Sequence, residues 1–145
     1  MCRRRSKKLE TANQYDWLML GDQPIVAFIP VSNLEVARSF YVDVLGLHVV
    51  EQNPYALVID ASGTMLRLAK VDGLHPQSFT VAGWQVSDMR NSISTLATRG
   101  VDFIRYEGMD QDEMGIWLTP NGDEVAWFRD LDGNTLSLTC FRSMT

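Results

Sequence analysis

Two segments of this chain, 55 residues apart, follow one pattern. The first runs Ile29-Pro30-Val31-Ser32-Asn33-Leu34 into a helix-like stretch that ends at Leu45-Gly46. The second runs Trp84-Gln85-Val86-Ser87-Asp88-Met89 into a stretch that ends at Arg99-Gly100. Their later parts also align: Asp60-Ala-Ser-Gly63-Thr-Met-Leu66-Arg67-Leu68 lies over Asp130-Leu-Asp-Gly133-Asn-Thr-Leu136-Ser137-Leu138. Both read Asp-x-x-Gly-x-x-Leu-x-Leu. An internal repeat of this length means two copies of one supersecondary unit, related by a pseudo-twofold axis, and places the expected site in the cleft between them.

Each copy is legible. Residues 25–31 are apolar enough for a buried strand. Ser32-Asn33 offers a helix cap, and Glu35 stands three after Ser32 as in a capping box. Leu34, Ala37, Phe40, Tyr41, Val44 and Leu45 recur at helical spacing, and Gly46 closes the helix. Strands follow at 47–51, 55–60 and 64–70, with turns at Asn53-Pro54 and Ala61-Ser-Gly63. The second copy gives a strand over 79–86 and a helix capped by Ser87 or Asp88, with Met89, Ile93, Leu96 and Ala97 on one face. Strands at 101–106, 115–118, 124–129 and 135–140 complete it. Pro120-Asn-Gly122 and Asp132-Gly133-Asn134 mark its turns. The expected fold is α+β, two tandem βαβββ modules over about 24–70 and 78–142. Together they form one domain, 23–145, behind an N-terminal extension, 1–22.

At 145 residues the chain holds one core of useful size. No apolar run approaches a membrane span, and no apolar stretch follows the basic start, so a secretory signal is not expected. Met19, just before the first strand, could serve as an alternative start. Two cysteines, Cys2 and Cys140, give no disulfide framework. Together these features place the protein in the cytoplasm. The chain has 13 basic and 18 acidic residues. Residues 1–18 carry five of the basic and two of the acidic ones, leaving eight against sixteen in the body. Such a balance disfavours nucleic acid and tolerates cationic ligands.

Val31-Ser-Asn-Leu34 with Ser39-Phe-Tyr-x-x-x-Leu-Gly46, Val86-Ser-Asp88, and Trp127-Phe-Arg-Asp130-x-Asp-Gly-Asn134 together resemble the vicinal oxygen chelate superfamily. That superfamily includes glyoxalase I, bleomycin-resistance proteins and extradiol dioxygenases. In its metal-dependent members, the resemblance implies His, Gln or Glu ligands at four places: early in the first strand of each half, and between the two leucines of each last strand. Here those places read Val26, Arg67, Val81 and Ser137. A shift of one residue on the first strands brings in Ile25, Ala27, Thr80 or Ala82, none a strong donor. Valine has no donor, neutral Ser is a poor one, and Arg67 is a permanent cation. No metal and no cofactor are therefore expected. The two histidines, His48 and His75, are not spaced as a ligand pair. The resemblance also implies a homodimer.

Alternation along strands defines the cleft-facing rows. They are Val26, Phe28, Pro30 and Met65, Arg67, Ala69 in the first half, and Val81, Gly83, Gln85 and Thr135, Ser137, Thr139 in the second. This is an apolar cleft with one cation and a few hydroxyls, as in small-molecule pockets. Arg67 either meets a ligand carboxylate or phosphate or pairs with a neighbouring acid. By parity Trp84 faces the core. Trp117 and Trp127 either wall the cleft or pack in the core. The acidic segment 107–115 reads as a mobile lip, and aromatic walls with an acidic rim favour flat or cationic ligands. Asp60 and Asp130, matched before turns, read as structural. The ligand-binding candidates are Phe28, Arg67, Trp117, Trp127 and Ser137; no catalytic residue stands out.

The function expected is therefore metal-free binding of a small aromatic or cationic molecule, in the manner of bleomycin-resistance proteins. The alternatives are a glyoxalase-type lyase or isomerase, or a dioxygenase, with a non-standard metal site drawing on His48, Glu51, Asp60 or Glu124. A third possibility is a regulatory module that meets a partner protein through the acidic lip.

Overall fold

The computed structural model describes residues 19–142. Residues 1–18, with Cys2 and most of the expected extension, lie outside them; a short 3-10 turn at Leu20–Asp22 comes just before the first strand. The first module is β1 (Val26–Val31), helix α1 (Leu34–Arg38), β2 (His48–Gln52), β3 (Ala56–Ala61) and β4 (Thr64–Lys70). α1 runs on as a π turn over Ser39–Val44, where the Leu45 N–H donates to the Phe40 carbonyl. The second module is β5 (Thr80–Gln85), α2 (Met89–Thr98), β6 (Trp117–Leu118), β7 (Glu124–Arg129) and β8 (Thr135–Cys140).

Each module makes one four-stranded sheet, ordered β1-β4-β3-β2 and β5-β8-β7-β6. In both, the first and last strands are parallel neighbours and the remaining pairs are antiparallel. The repeat seen in the sequence is therefore a repeat of topology. Local chemistry explains the ends. Asn33 caps α1, its side-chain oxygen accepting from the Glu35 and Val36 N–H groups, while Asp88 caps α2 by accepting from Asn91 N–H. The expected Ser32 cap is not used, because the Ser32 hydroxyl and N–H both donate to the Asp132 carboxylate across the modules. The β3–β4 hairpin turns on Ser62 (φ 53°) and Gly63 (φ 95°), both left-handed as a two-residue hairpin demands.

One expectation fails for a clear reason. The stretch 101–106 is not a strand: only Phe103 bridges to β7, opposite Phe128, and Ile104 N–H donates to the Trp127 carbonyl. Residues 105–116 then leave β7, touching the sheet again only where Gln111 bridges to Trp117, and the edge resumes at Trp117–Leu118. The edge strand of the second module is thus split by an insertion that the first module lacks. Periodicity marks which residues suit a strand, not whether a partner is free to pair with them.

Both sheets send one face into a single core. Ile29, Val31, Leu57, Ile59, Leu66 and Leu68 come from the first, and Ala126, Phe128, Leu136 and Leu138 from the second, with Phe40, Tyr41, Met89 and Ile93 between. Trp84 packs on this core, as its parity predicts. The modules are also latched by polar contacts. The Tyr41 hydroxyl donates to Asp130 (2.6 Å), and Asn134 Nδ2 donates to the Pro30 carbonyl (2.8 Å).

Candidate functional site

With one face of each sheet committed to the core, the other carries the expected cleft rows. In the first sheet Val26 stands opposite Met65, Phe28 opposite Arg67, and Pro30 opposite Ala69. The Phe28–Arg67 pair continues across the sheet to Val58 and Glu51. Phe28 is 59% exposed, while Val58 is buried but outside the core cluster, as befits its place on this face. Among the described residues, Arg67 has no hydrogen-bond or ion-pair partner.

In the second sheet Gly83 stands opposite Ser137, which in turn faces Trp127, and Gln85 stands opposite Thr139, whose row continues to Val125 and Trp117. The offset of 55 between Phe28 and Gly83 matches that of the sequence repeat. Trp117 and Trp127 lie with ring centroids 6.2 Å apart at 31°, and Tyr106 meets Trp127 edge-on at 5.4 Å. Aromatic rings so arranged make one aromatic cluster. Ser137 is 8% exposed and lies against Gly83; a Cβ at Gly83 would run into the Ser137 hydroxyl and sit 3.2 Å from its carbonyl. A glycine is what lets the hydroxyl occupy this place. Val81 departs from expectation. A bulge between Thr80 and Ala82 puts Thr80 opposite Thr135, and Val81 packs on the core instead.

Thus the structure gathers Trp117, Trp127 and Ser137 on one surface and Phe28 and Arg67 on another. It does not bring the two surfaces together. Each looks away from the core its sheet shares with the other, so the repeats of one chain do not enclose the cleft between them. Tyr106 and Val58 were missed from the sequence, and Glu51 was considered only as a metal donor. Tyr106 sits in the stretch misread as a strand, and Val58 and Glu51 are found only once the sheet register is known.

The acidic segment is tied down rather than loose. Gln111 Nε2 donates to the Ile104 and Gly115 carbonyls (2.9 and 2.8 Å), and its Oε1 accepts from Tyr106 N–H (2.7 Å). One Asp112 oxygen accepts from Met114 and Ile116 N–H, and the other pairs with Arg90 at 3.2 Å; Glu113 takes the other Arg90 nitrogen at 2.9 Å. Partial desolvation works against the Asp112 charge. The Ile116 and Met114 N–H groups and Arg90 outweigh it and hold the carboxyl below its usual range. Gln111→Ala removes three part-buried hydrogen bonds and is expected to cost about 2 kcal/mol. Hydrogen exchange at the Tyr106 amide should accelerate relative to that at Ile104, and unchanged exchange would refute the pinning.

The donor set does not suit a metal. Val26, Arg67 and Ser137 lie in the expected rows, but offer one neutral hydroxyl and one cation. No group of three or more His, Cys, Asp or Glu side chains among the described residues is placed to hold a metal ion. His48 and Asp60 are opposed on neighbouring strands, but Glu124 lies in the other sheet.

Residues 23–138 match the family model described as Glyoxalase/Bleomycin resistance protein/Dioxygenase superfamily. Among solved structures, the chain is similar to a superfamily member from Sphaerobacter thermophilus, with 23% identity and a TM-score of 0.65, covering 85% of this chain and 100% of that one. It is also similar to TnmS3, an antibiotic-binding protein from a Streptomyces species, with 24% identity and a TM-score of 0.65, covering 86% and 99%. A lactoylglutathione lyase from Agrobacterium tumefaciens gives 16% identity and a TM-score of 0.64 over 82% and 93%. No curated protein matches the sequence. No helix among the described residues is long and apolar enough to cross a membrane.

Proposed function

The chain belongs to the glyoxalase/bleomycin resistance protein/dioxygenase superfamily, and within it we propose that this protein binds a flat, aromatic small molecule without a metal. The observation that carries the reading is the Trp117–Trp127–Tyr106 surface, bordered by the Ser137 and Thr139 hydroxyls. A planar ligand stacks on such a surface, and the hydroxyls orient it. The antibiotic-binding neighbour supports this direction. Asp112 and Glu113 are engaged by Arg90, so planarity is a firmer expectation for the ligand than positive charge.

The exposed face of the first sheet supports a homodimer as part of the same reading. Val26, Phe28 and Met65 form an apolar strip 42–59% exposed, with Ile25 beside it. Monomeric surfaces seldom leave such strips uncovered. Laid against the tryptophan face of a second copy, it closes a cleft with Phe28 and Arg67 on one wall and Trp117, Trp127 and Ser137 on the other. We place the protein in the cytoplasm on the same footing.

Saturable quenching of tryptophan fluorescence by planar aromatic antibiotics is the expected result, and Trp127→Phe should weaken binding several-fold. The purified protein should hold less than roughly a tenth of an equivalent of zinc, nickel, manganese or iron(II) after equilibration and dialysis. A full equivalent per chain would overturn the metal-free reading, and no quenching across a broad panel would overturn the ligand class.

A further inference from the structure

A cavity lies on the opposite side of the second sheet from the tryptophan surface. Its volume is about 420 Å³, within the range of small-molecule pockets. Trp84 lines it from the sheet with the buried Phe128 and Leu138 beneath, and Leu45 and Leu47 of the first module line it as well. Trp84 and Phe128 are stacked, with centroids 6.4 Å apart at 24°. Asn91, Ser92 and Thr95 of α2 line it too, and because Asn91 and Thr95 are exposed the cavity opens to solvent.

The repeat explains why the space exists. Under the 55-residue offset that aligns Leu34 with Met89, Thr95 stands where α1 has Phe40. Counting the extra residue of the π turn, it stands where α1 has Tyr41. Both of those rings are buried in the core. Ala37 aligns with Ser92. The second helix therefore puts small polar side chains where the first puts an aromatic ring, and the space beneath stays open.

The charge at the rim is one-sided. No Asp or Glu lines the cavity, and Arg99 is its one charged group. Arg99 uses one guanidinium nitrogen on the Val44 carbonyl (2.9 Å) and has no carboxylate partner among the described residues.

We propose that this cavity is a distinct binding site for an aromatic carboxylate, whose ring replaces the side chain missing at Thr95 and whose carboxylate meets Arg99. An aromatic ring laid against Trp84, Leu45 and Leu47 makes the apolar contacts that an aromatic at 95 would make, and a guanidinium selects a planar anion. This site shares no lining residue with the tryptophan surface, so either proposal stands or falls alone.

The test uses 1-naphthoate and its neutral analogue 1-naphthylmethanol on the full chain. Binding is followed by calorimetry and by the indole N–H resonances, with that of Trp84 assigned through Trp84→Phe. Naphthoate should shift the Trp84 resonance, and bind about tenfold more tightly than the alcohol. Arg99→Gln should remove that preference. Thr95→Phe, which gives α2 the ring that α1 already has, should abolish binding and raise the melting temperature; Ser92→Leu makes the same test if Thr95→Phe does not fold. The proposal is overturned if Trp84 does not respond to naphthoate up to roughly 5 mM, a level that detects even millimolar affinity. It is equally overturned if only Trp117 and Trp127 respond, or if acid and alcohol bind alike.

Discussion

Asp130→Ala is expected to lower stability by about 3–4 kcal/mol and the melting temperature by roughly 10 °C. Asp130 is 6% exposed, and every bond its carboxylate accepts is lost at once. One oxygen accepts from the Tyr41 hydroxyl (2.6 Å) and Asn134 Nδ2 (2.8 Å); the other accepts from the Asp132 and Asn134 N–H groups (3.0 and 2.8 Å). The substitution leaves those donors in a dry interior, where an unmet donor costs more than the bond contributed. Its counterpart in the repeat, Asp60, is exposed and accepts from Gly63 N–H (2.9 Å). Asp60→Ala should cost less than about 1 kcal/mol. Urea titrations of the two variants make the comparison, and equal losses would show that Asp130 does not latch the modules.

The same latch predicts an alkaline limb. Burial, then the Asp130 charge and its hydrogen bond, then the Asp132 charge push the Tyr41 phenol far above its ordinary value of 10.0. Above about pH 10 the unfolded chain loses this proton while the folded chain keeps it. The folded state then binds more protons, so stability falls as pH rises, by up to ~1.4 kcal/mol per pH unit from this group. Tyr41→Phe should be less stable at neutral pH and lack this component. The difference in stability between the two proteins, followed from about pH 8 to pH 11, isolates it.

Phe128→Ala is expected to cost about 3–5 kcal/mol. Phe128 is fully buried, and its ring lies 5.4 Å from Phe103 and 6.4 Å from both Phe40 and Trp84. Phe40 belongs to the first module and the other rings to the second, so the truncation opens the joint between modules. Phe28→Ala makes the instructive contrast. In a lone chain Phe28 is exposed, and its loss should change stability by no more than about 0.5 kcal/mol. If a second copy covers that face, the loss should grow with protein concentration, because dimerisation and folding are then linked. A small loss at every concentration would remove Phe28 from any interface.

Much of this was legible beforehand because it is local. The alternation of Phe28 and Ile29, or of Arg67 and Leu68, sorts side chains to opposite faces of a strand whatever the strand packs against. The glycines at 46, 63 and 133 mark turns by their backbone freedom. The positions Val26, Arg67 and Ser137 came from the resemblance to the superfamily, with the repeat frame fixing the register of the last strands, and the core-facing Trp84 follows from strand parity. What was misread depended on partners. The 101–106 stretch has strand composition, but the insertion that follows it leads the chain away from β7. The lip is held by Gln111, whose three contacts come from residues four to seven positions away in no periodic pattern. Nothing in the sequence announces the bulge at Val81.

The amino-acid sequence by itself determined that this protein is two βαβββ units and which face of each strand is apolar. Only the tertiary structure decided that both modules turn their helix-side faces into one core and leave the Phe28 and Trp127 faces pointing apart. It also decided that α2 leaves a cavity over Trp84. The reason is range. Strand faces and turns are set by neighbours a few residues away, whereas the packing of Phe40 on Phe128 and of Tyr41 on Asp130 joins residues nearly ninety positions apart, and is chosen by shape and burial across the whole chain.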